Sequence, residues 1–220
     1  NGQLCPVPLP HQTSTLPYNK YDKASALQAL IATHRTAFIN CPMPKQEERF
    51  KTNSHEAQLC AMVVKNIIEL YRTNGIPYDA HQTIGIISPF RGQGALIRNE
   101  LSLLDMEEYT QHISIDTVER YQGSQRDIII YCTTITSPSQ MELIVEAIDP
   151  TSPIVNQPID RKLNVALTRA RMQLFVIGIP QVLDTDCNYR ALINELPQYL
   201  HPTAEYCNQS SNNVPKNSGR

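Results

Sequence analysis

Four cations crowd the stretch "DRKLNVALTRARMQLFVIG" at residues 160–178: Arg161, Lys162, Arg169 and Arg171. No acidic residue between Arg161 and Gln181 neutralises them, yet an apolar strand pattern follows at once. A guanidinium held where an element enters a core is well suited to phosphate oxygens, which it meets with a fixed planar fork of donors. Two further stretches place reactive side chains beside glycine or proline turns. "GIISPFRGQ" (85–93) sets Ser88, Pro89, Arg91 and Gln93 at the mouth of an apolar run. "ISIDTVERYQGSQRDIIIY" (113–131) sets Thr117, Gly123, Gln125 and Asp127 between two such runs. A threonine hydroxyl suits a nucleic-acid phosphate, and Gly123 permits close backbone approach or a positive φ.

Each set also has a plain structural reading. The arginines can be the solvated polar face of a helix, and Thr117 with Gly123 a tight turn. Residues 88–93 can be a helix-starting turn shaped by Gly92 and Gly94, and Asp127 can fix the turn before its strand. Glu56 can be a first-turn carboxylate favoured by the helix dipole. His55, His81 and His112 show no metal or triad spacing, so no metal site is expected. Glu47, Glu48 and Lys51 lack a partner motif, which sets a nuclease reading aside.

The elements that must position these residues alternate. Strands are predicted at 36–41 (TAFINC), 83–88 (TIGIIS), 113–116 (ISID), 126–136 (RDIIIYCTTIT) and 172–178 (MQLFVIG). Helices are predicted from Asn53 or Ser54 to Asn74-Gly75, over 93–104, over 161–171 and over 188–196. In the third of these, Leu163, Ala166, Leu167 and Ala170 share one side, with Arg161, Asn164, Thr168 and Arg171 opposite and Arg169 at the flank. Strands alternating with helices predict an α/β domain, a parallel β-sheet sandwiched by helices. Ligands in such sheets bind beyond the carboxyl ends of the strands, and the unusual residues are expected along that edge. Residues 1–24, with four of the 16 prolines, read as a Pro-rich arm or loop, and 25–200 as the domain. Within it, 137–160 reads as an insertion; 201–220 is a polar tail expected to be disordered.

Bulk composition agrees: 41% hydrophobic, 18% charged and 6% aromatic residues mark a globular chain. A net charge of −2 excludes a broadly basic coat, so a polyanion must be met by a local patch. Six scattered cysteines without a CxxC pair point to reduced thiols, and no apolar run is long enough for a membrane span. An intracellular, cytoplasmic location follows, with the nucleus open to a eukaryotic chain. The start on "NGQLCPVPLP", without Met, reads as a piece cut from a longer polypeptide.

In order, the three stretches resemble motifs IV, V and VI of superfamily 1 helicases. The likeness is to the branch of the nonsense-mediated-decay RNA helicase, where motif V reads roughly TVDxFQGxExD and motif VI roughly RxxNVAxTRAR. "NSHEA" (53–57) is similar to that branch's NxxEA, and "NGQL" to the segment after its YRMHP signature, so the resemblance spans about residues 1–180. It implies a RecA-like fold of the P-loop NTPase type, the second of two motor domains that clamp ATP between them and hold a single strand. No GxxxxGK[ST] loop occurs in the sequence, so that loop and the Mg²⁺ ligands are expected on an N-terminal RecA-like domain of the same polypeptide. The 220 residues alone should not hydrolyse ATP.

By position in TRA, the resemblance makes Arg169 the arginine finger, with Arg161 and Arg171 holding it or contacting phosphate. Gly123 and Gln125 fall at the nucleotide, and Thr117, Ser88, Pro89, Arg91 and Gln93 along single-stranded DNA or RNA. ATP with Mg²⁺ is the implied cofactor, and 5′-to-3′ travel the implied direction. Two positions depart from the pattern. Gln125 replaces a Glu that accepts from the ATP ribose, which weakens that contact by about 1 kcal/mol. Glu119 replaces the Asp after TV. The Gln125 change also supports a second reading: a nucleic-acid-binding or protein-interaction module that kept the helicase fold without the motor.

Overall fold

The computed structural model describes residues 15–44, 51–121, 124–145 and 160–200. They hold a six-stranded sheet made of β1 (Thr36–Asn40), β2 (Ile84–Ile87), β3 (Ser114–Asp116), β4 (Arg126–Cys132), β5 (Ala170–Gly178) and β6 (Gln198–Leu200). The strand order is β3-β2-β4-β5-β1-β6, and every pairing is parallel. Helices between the strands are α1 (Ala26–Thr33), α2 (Ser54–Asn74), α3 (Arg91–Ser102), α4 (Glu107–Thr110), α5 (Met141–Ile144), α6 (Arg161–Leu167), α7 (Pro180–Leu183) and α8 (Cys187–Glu195). This is a RecA-like α/β sheet flanked by helices.

The chain folds this way because its apolar runs are buried on both sides of the sheet. Ile128, Ile129, Ile130, Phe175, Val176 and Ile177 have no solvent exposure. Against one face α1, α2 and α3 pack side by side, and Cys132 of β4 meets Cys60 of α2. On the other face the Tyr131 and Tyr189 hydroxyls, from β4 and α8, lie 3.0 Å apart. Asn53 caps α2 by accepting from the Glu56 N–H, and Gly75 ends it at φ 63°.

Five short elements escaped the sequence pattern: α1, α4, α5, α7 and β6. The predicted helix over 161–171 also ends early, at Leu167, with Thr168 as its C-cap. The Arg126 N–H donates to the Arg169 carbonyl at 3.1 Å, and β4–β5 pairing begins at Arg126 and Ala170. The strand ladder thus takes over where the helix was expected to continue. In the Pro-rich segment, residues 15–25 lack helix and strand, yet Tyr18 is buried and donates to Gln173 at 2.8 Å. Residues 137–145 pack Met141 and Ile144 into the core. The arm from 1 to 14, Glu47 and Glu48, Gly123, the rest of the insertion (146–159) and the tail (201–220) lie outside the described residues, as does the side chain of Arg161. Among the described residues no helix is long and apolar enough to cross a membrane.

Burial raises the pKa of Tyr18, Tyr78 and Tyr131 above the ordinary 10 and that of Tyr71 to about 12. A folded-state pKa above the unfolded one means the unfolded chain releases protons that the folded chain retains. The associated stability is full below pH 10 and is lost as pH rises through 12. The urea midpoint is therefore expected to decline only on the alkaline side of pH 10, with the tyrosinate absorbance of the buried tyrosines appearing together with loss of helix. With ten Tyr and no Trp, the absorbance reports tyrosine cleanly, and ionisation of all ten before unfolding would contradict the burial.

Candidate functional sites at the two edges of the sheet

Because all six strands run in one direction, the sheet has one amino edge and one carboxyl edge. The sequence-predicted residues divide between them, which corrects the expectation of a single carboxyl-edge site. Ser88 follows β2 and Thr117 follows β3, at the carboxyl edge; Gln125 precedes β4 and Arg169 precedes β5, at the amino edge. The seven residues of β4 separate the edges by about 20 Å at ~3.3 Å per residue.

At the carboxyl edge, Ser88, Phe90, Arg91, Arg98, Asp116 and Thr117 line a cleft of about 230 Å³. Arg91, the first residue of α3, is exposed. Arg98 donates to the Ile115 carbonyl at 3.2 Å, tying the end of β3 to α3. Neither Phe90 nor Arg98 was singled out from the sequence; both lie within a turn and helix of the SPFRGQ stretch, and their shared spacing of eight residues carries no signal.

Gln93 does not face the cleft. It is fully buried; its Oε1 accepts from the Asn53 N–H and its Nε2 donates to the Asn53 carbonyl, both at 2.8 Å. Its amide is consumed in fastening α3 to the start of α2, which leaves no polar atom for a strand. Ser88 is also buried, with its hydroxyl 3.0 Å from that of Thr134 and accepting from the Phe90 N–H at 3.4 Å. Pro89 is half-buried in the same turn.

Behind this turn sits Glu56, also fully buried. Its carboxylate accepts from Thr133 Oγ1 at 3.2 Å, the Thr134 N–H at 2.8 Å and Asn53 Nδ2 at 3.3 Å. Thr134 has φ 71°, a conformation a β-branched residue avoids. Glu56 therefore does more than face the helix dipole: it holds a strained residue whose hydroxyl supports Ser88. The N-x-x-E spacing of a capping box was the legible signal, but it does not announce contacts made seventy-eight residues away.

At the amino edge, Arg171 is the second residue of β5 and not a helical polar-face residue. Its Nη1 lies 3.3 Å from Asp127 Oδ1, and its Nη2 donates to Gln82 Oε1 at 3.3 Å. These bonds join the starts of β5, β4 and β2, and they give Asp127 the fixing role expected of it. Arg169, two residues earlier, is different. Its Nε is buried and has no hydrogen-bond partner among the described residues. A guanidinium nitrogen stripped of water and left unpaired costs stability, so the arrangement fits an anionic ligand that completes it. Gln125 is exposed nearby, at the start of β4. Arg161 opens α6 at the end away from Arg169, next to Lys162, which pairs with Glu119 beyond the carboxyl end of β3, so the fold does not bring it to the amino edge with Arg169. A guanidinium such as that of Arg169 suits a phosphate oxygen.

A family model described as "AAA domain" matches residues 12–181. The chain is 31% identical over 163 residues to Regulator of nonsense transcripts 1 of Dictyostelium discoideum, covering 71% of this chain and 11% of that protein. It is 32% identical over 155 residues to DNA polymerase alpha-associated DNA helicase A of Saccharomyces cerevisiae (strain ATCC 204508 / S288c), covering 68% of this chain and 18% of that protein. Helicase sen1 of Schizosaccharomyces pombe (strain 972 / ATCC 24843) is 31% identical over 113 residues, or 51% of this chain and 6% of that protein. The chain thus spans less than a fifth of the length of each of these relatives.

Proposed function

The chain belongs to the AAA domain family of superfamily 1 helicases, in the branch of the nonsense-transcript regulator, and on that premise we propose that it is the C-terminal motor domain of an ATP-dependent helicase or translocase on single strands. The observation that carries this reading is the buried, unpartnered Nε of Arg169 at the amino edge. ATP with Mg²⁺, held between this chain and an N-terminal RecA-like domain, supplies the free energy of phosphoanhydride hydrolysis.

The roles of this chain's own residues follow from their placement. Arg169 offsets the negative charge that spreads over the equatorial oxygens of a transferring phosphoryl group. Arg171, locked to Asp127 and Gln82, holds the entry to β5 so that Arg169 keeps its aim. Gln125 presents an amide acceptor nearby, and Gly123 belongs to the same turn by sequence. Arg161, which opens α6 away from that edge, is given no nucleotide contact. At the opposite edge, Arg91 and Thr117 meet the strand's phosphates, with Ser88 and Pro89 shaping the turn and Gln93 fastening it. Lacking a GxxxxGK[ST] loop, the 220 residues alone are proposed to be inactive.

Strand binding in the full-length protein tests the carboxyl edge. Arg91→Ala should weaken binding of single-stranded oligonucleotides of any sequence alike. It should also make the plot of log affinity against log salt shallower by about 0.7, the share of one phosphate contact on a single strand. An unchanged slope would remove Arg91 from the track.

A further inference from the structure

The cleft at the carboxyl edge is open because two residues in its wall are small. On α3, Gly94 and Ala95 lie between Arg91 and Arg98, and Ile115 of β3 completes the lining with them. Outside its own helix, a Cβ at Gly94 would meet only Ile115 Cγ2, at 3.4 Å, an ordinary contact. Packing therefore does not require glycine here, although glycine weakens a helix relative to alanine. The effect of the missing methyl group is to keep the cleft wide.

Its lining is largely carbon, and the polar groups around it are already engaged. The Ser88 hydroxyl meets that of Thr134, Arg98 Nη2 donates to the Ile115 carbonyl, and the Asp116 carboxylate lies 3.7 Å from Arg120 Nη1. A phosphate pushed inside would exchange its water for Phe90, Gly94, Ala95 and Ile115, so phosphates belong at the exposed rim with Arg91. A flat, mostly apolar group fits better. Phe90 offers an aromatic ring and Arg98 a planar guanidinium, both surfaces on which bases stack. The Lys51 ammonium lies 5.6 Å from the Phe90 ring centroid. An aromatic ring beside a cation is the combination that holds single strands whatever their sequence. At about 230 Å³ the cleft is smaller than the ~300–1,000 Å³ of a pocket for a drug-sized molecule, which leaves room for one ring system.

We propose that this cleft receives one unstacked base of the strand, held by Phe90 and Arg98, while the flanking phosphates stay at the rim. The proposal rests on the functional reading given above, which assigns this edge phosphate contacts alone. It gives Phe90 and Arg98 binding roles, and it makes Gly94 and Ala95 the positions that set how large a group can enter.

The test compares strands with and without bases on the full-length protein. Affinities are measured by anisotropy for a fluorescent oligothymidylate, an oligouridylate and an abasic strand of the same length. Ala95→Leu fills the cleft from an exposed helix position where leucine is well tolerated. It should weaken whichever base-bearing strand binds by about 5- to 100-fold, the contribution of one stacked base. Affinity for the abasic strand, carried by phosphates, should stay within about threefold of wild type. Phe90→Leu, which removes the ring, should show the same selective loss, and it decides the matter if Ala95→Leu loses cooperative unfolding. Wild-type affinities in these variants, or an equal loss on both kinds of strand, overturn the base site and leave the phosphate track standing. A wild-type protein that binds none of the three strands overturns the base site together with the functional reading.

Discussion

In the full-length protein, Arg169→Ala is expected to lower strand-stimulated ATP hydrolysis by about 10³- to 10⁵-fold, the effect of removing an arginine finger. Nucleotide affinity should change by no more than about tenfold, because the lost contact is made most strongly in the transition state. Arg169→Lys should recover little: an ammonium keeps the charge without the planar fork that fits phosphate oxygens. Arg171→Ala provides the contrast. Its guanidinium is paired with Asp127 and half exposed, so its removal should act through positioning and cost much less rate. Steady-state turnover with a fluorescent nucleotide titration separates these cases. Equal rates for wild type and Arg169→Ala would reduce Arg169 to a surface residue. An inactive wild type with strand affinity intact would instead favour the binding-module reading suggested by Gln125.

The second large effect is on stability. Glu56→Ala deletes a fully buried carboxylate and leaves the Thr134 N–H and the Thr133 hydroxyl without this acceptor. Buried donors stranded in this way cost several kcal/mol together, so a loss of about 3 kcal/mol is expected. In a domain of this size that corresponds to a fall in Tm of roughly 6–12 °C by calorimetry or circular dichroism. Thr134 is also freed to leave its positive φ, which removes the support of the Ser88 hydroxyl. Strand affinity should therefore drop in Glu56→Ala even at temperatures where the domain remains folded. Glu56→Gln keeps one acceptor oxygen and should lose less than half as much. A Tm shift within about 2 °C for the alanine variant would show that the network is dispensable.

Much of the fold was legible because the strands that build its centre are continuous runs of branched apolar residues. The IIIYC of β4 and the LFVIG of β5 cannot be exposed, and α2 carries both a capping asparagine and a terminating glycine. β6 was not legible, because QYL is three residues long and its pairing is supplied by β1. The helix ending at Leu167 was misjudged because NVALTRA keeps helical spacing. The β4–β5 ladder, a contact between residues 126 and 170, overrules that local preference. Residue chemistry and the family resemblance single out Arg169 and Thr117 as candidates, but nothing in a linear pattern says which edge of a parallel sheet a turn occupies. Tracing strand direction through the topology separates them. Gln93 was misread for a related reason: an amide at a helix start looks available until its neighbour in space, Asn53, is known.

The nine-residue passage between β3 and β4, 117–125, acts as a ruler. Its ends lie at opposite edges of the sheet, about 20 Å apart, and a fully extended chain of that length reaches only about 30 Å. Removing more than about three residues there would leave too little chain to span the two edges, so deletions in this domain should collect elsewhere, in segments that join no two contacts.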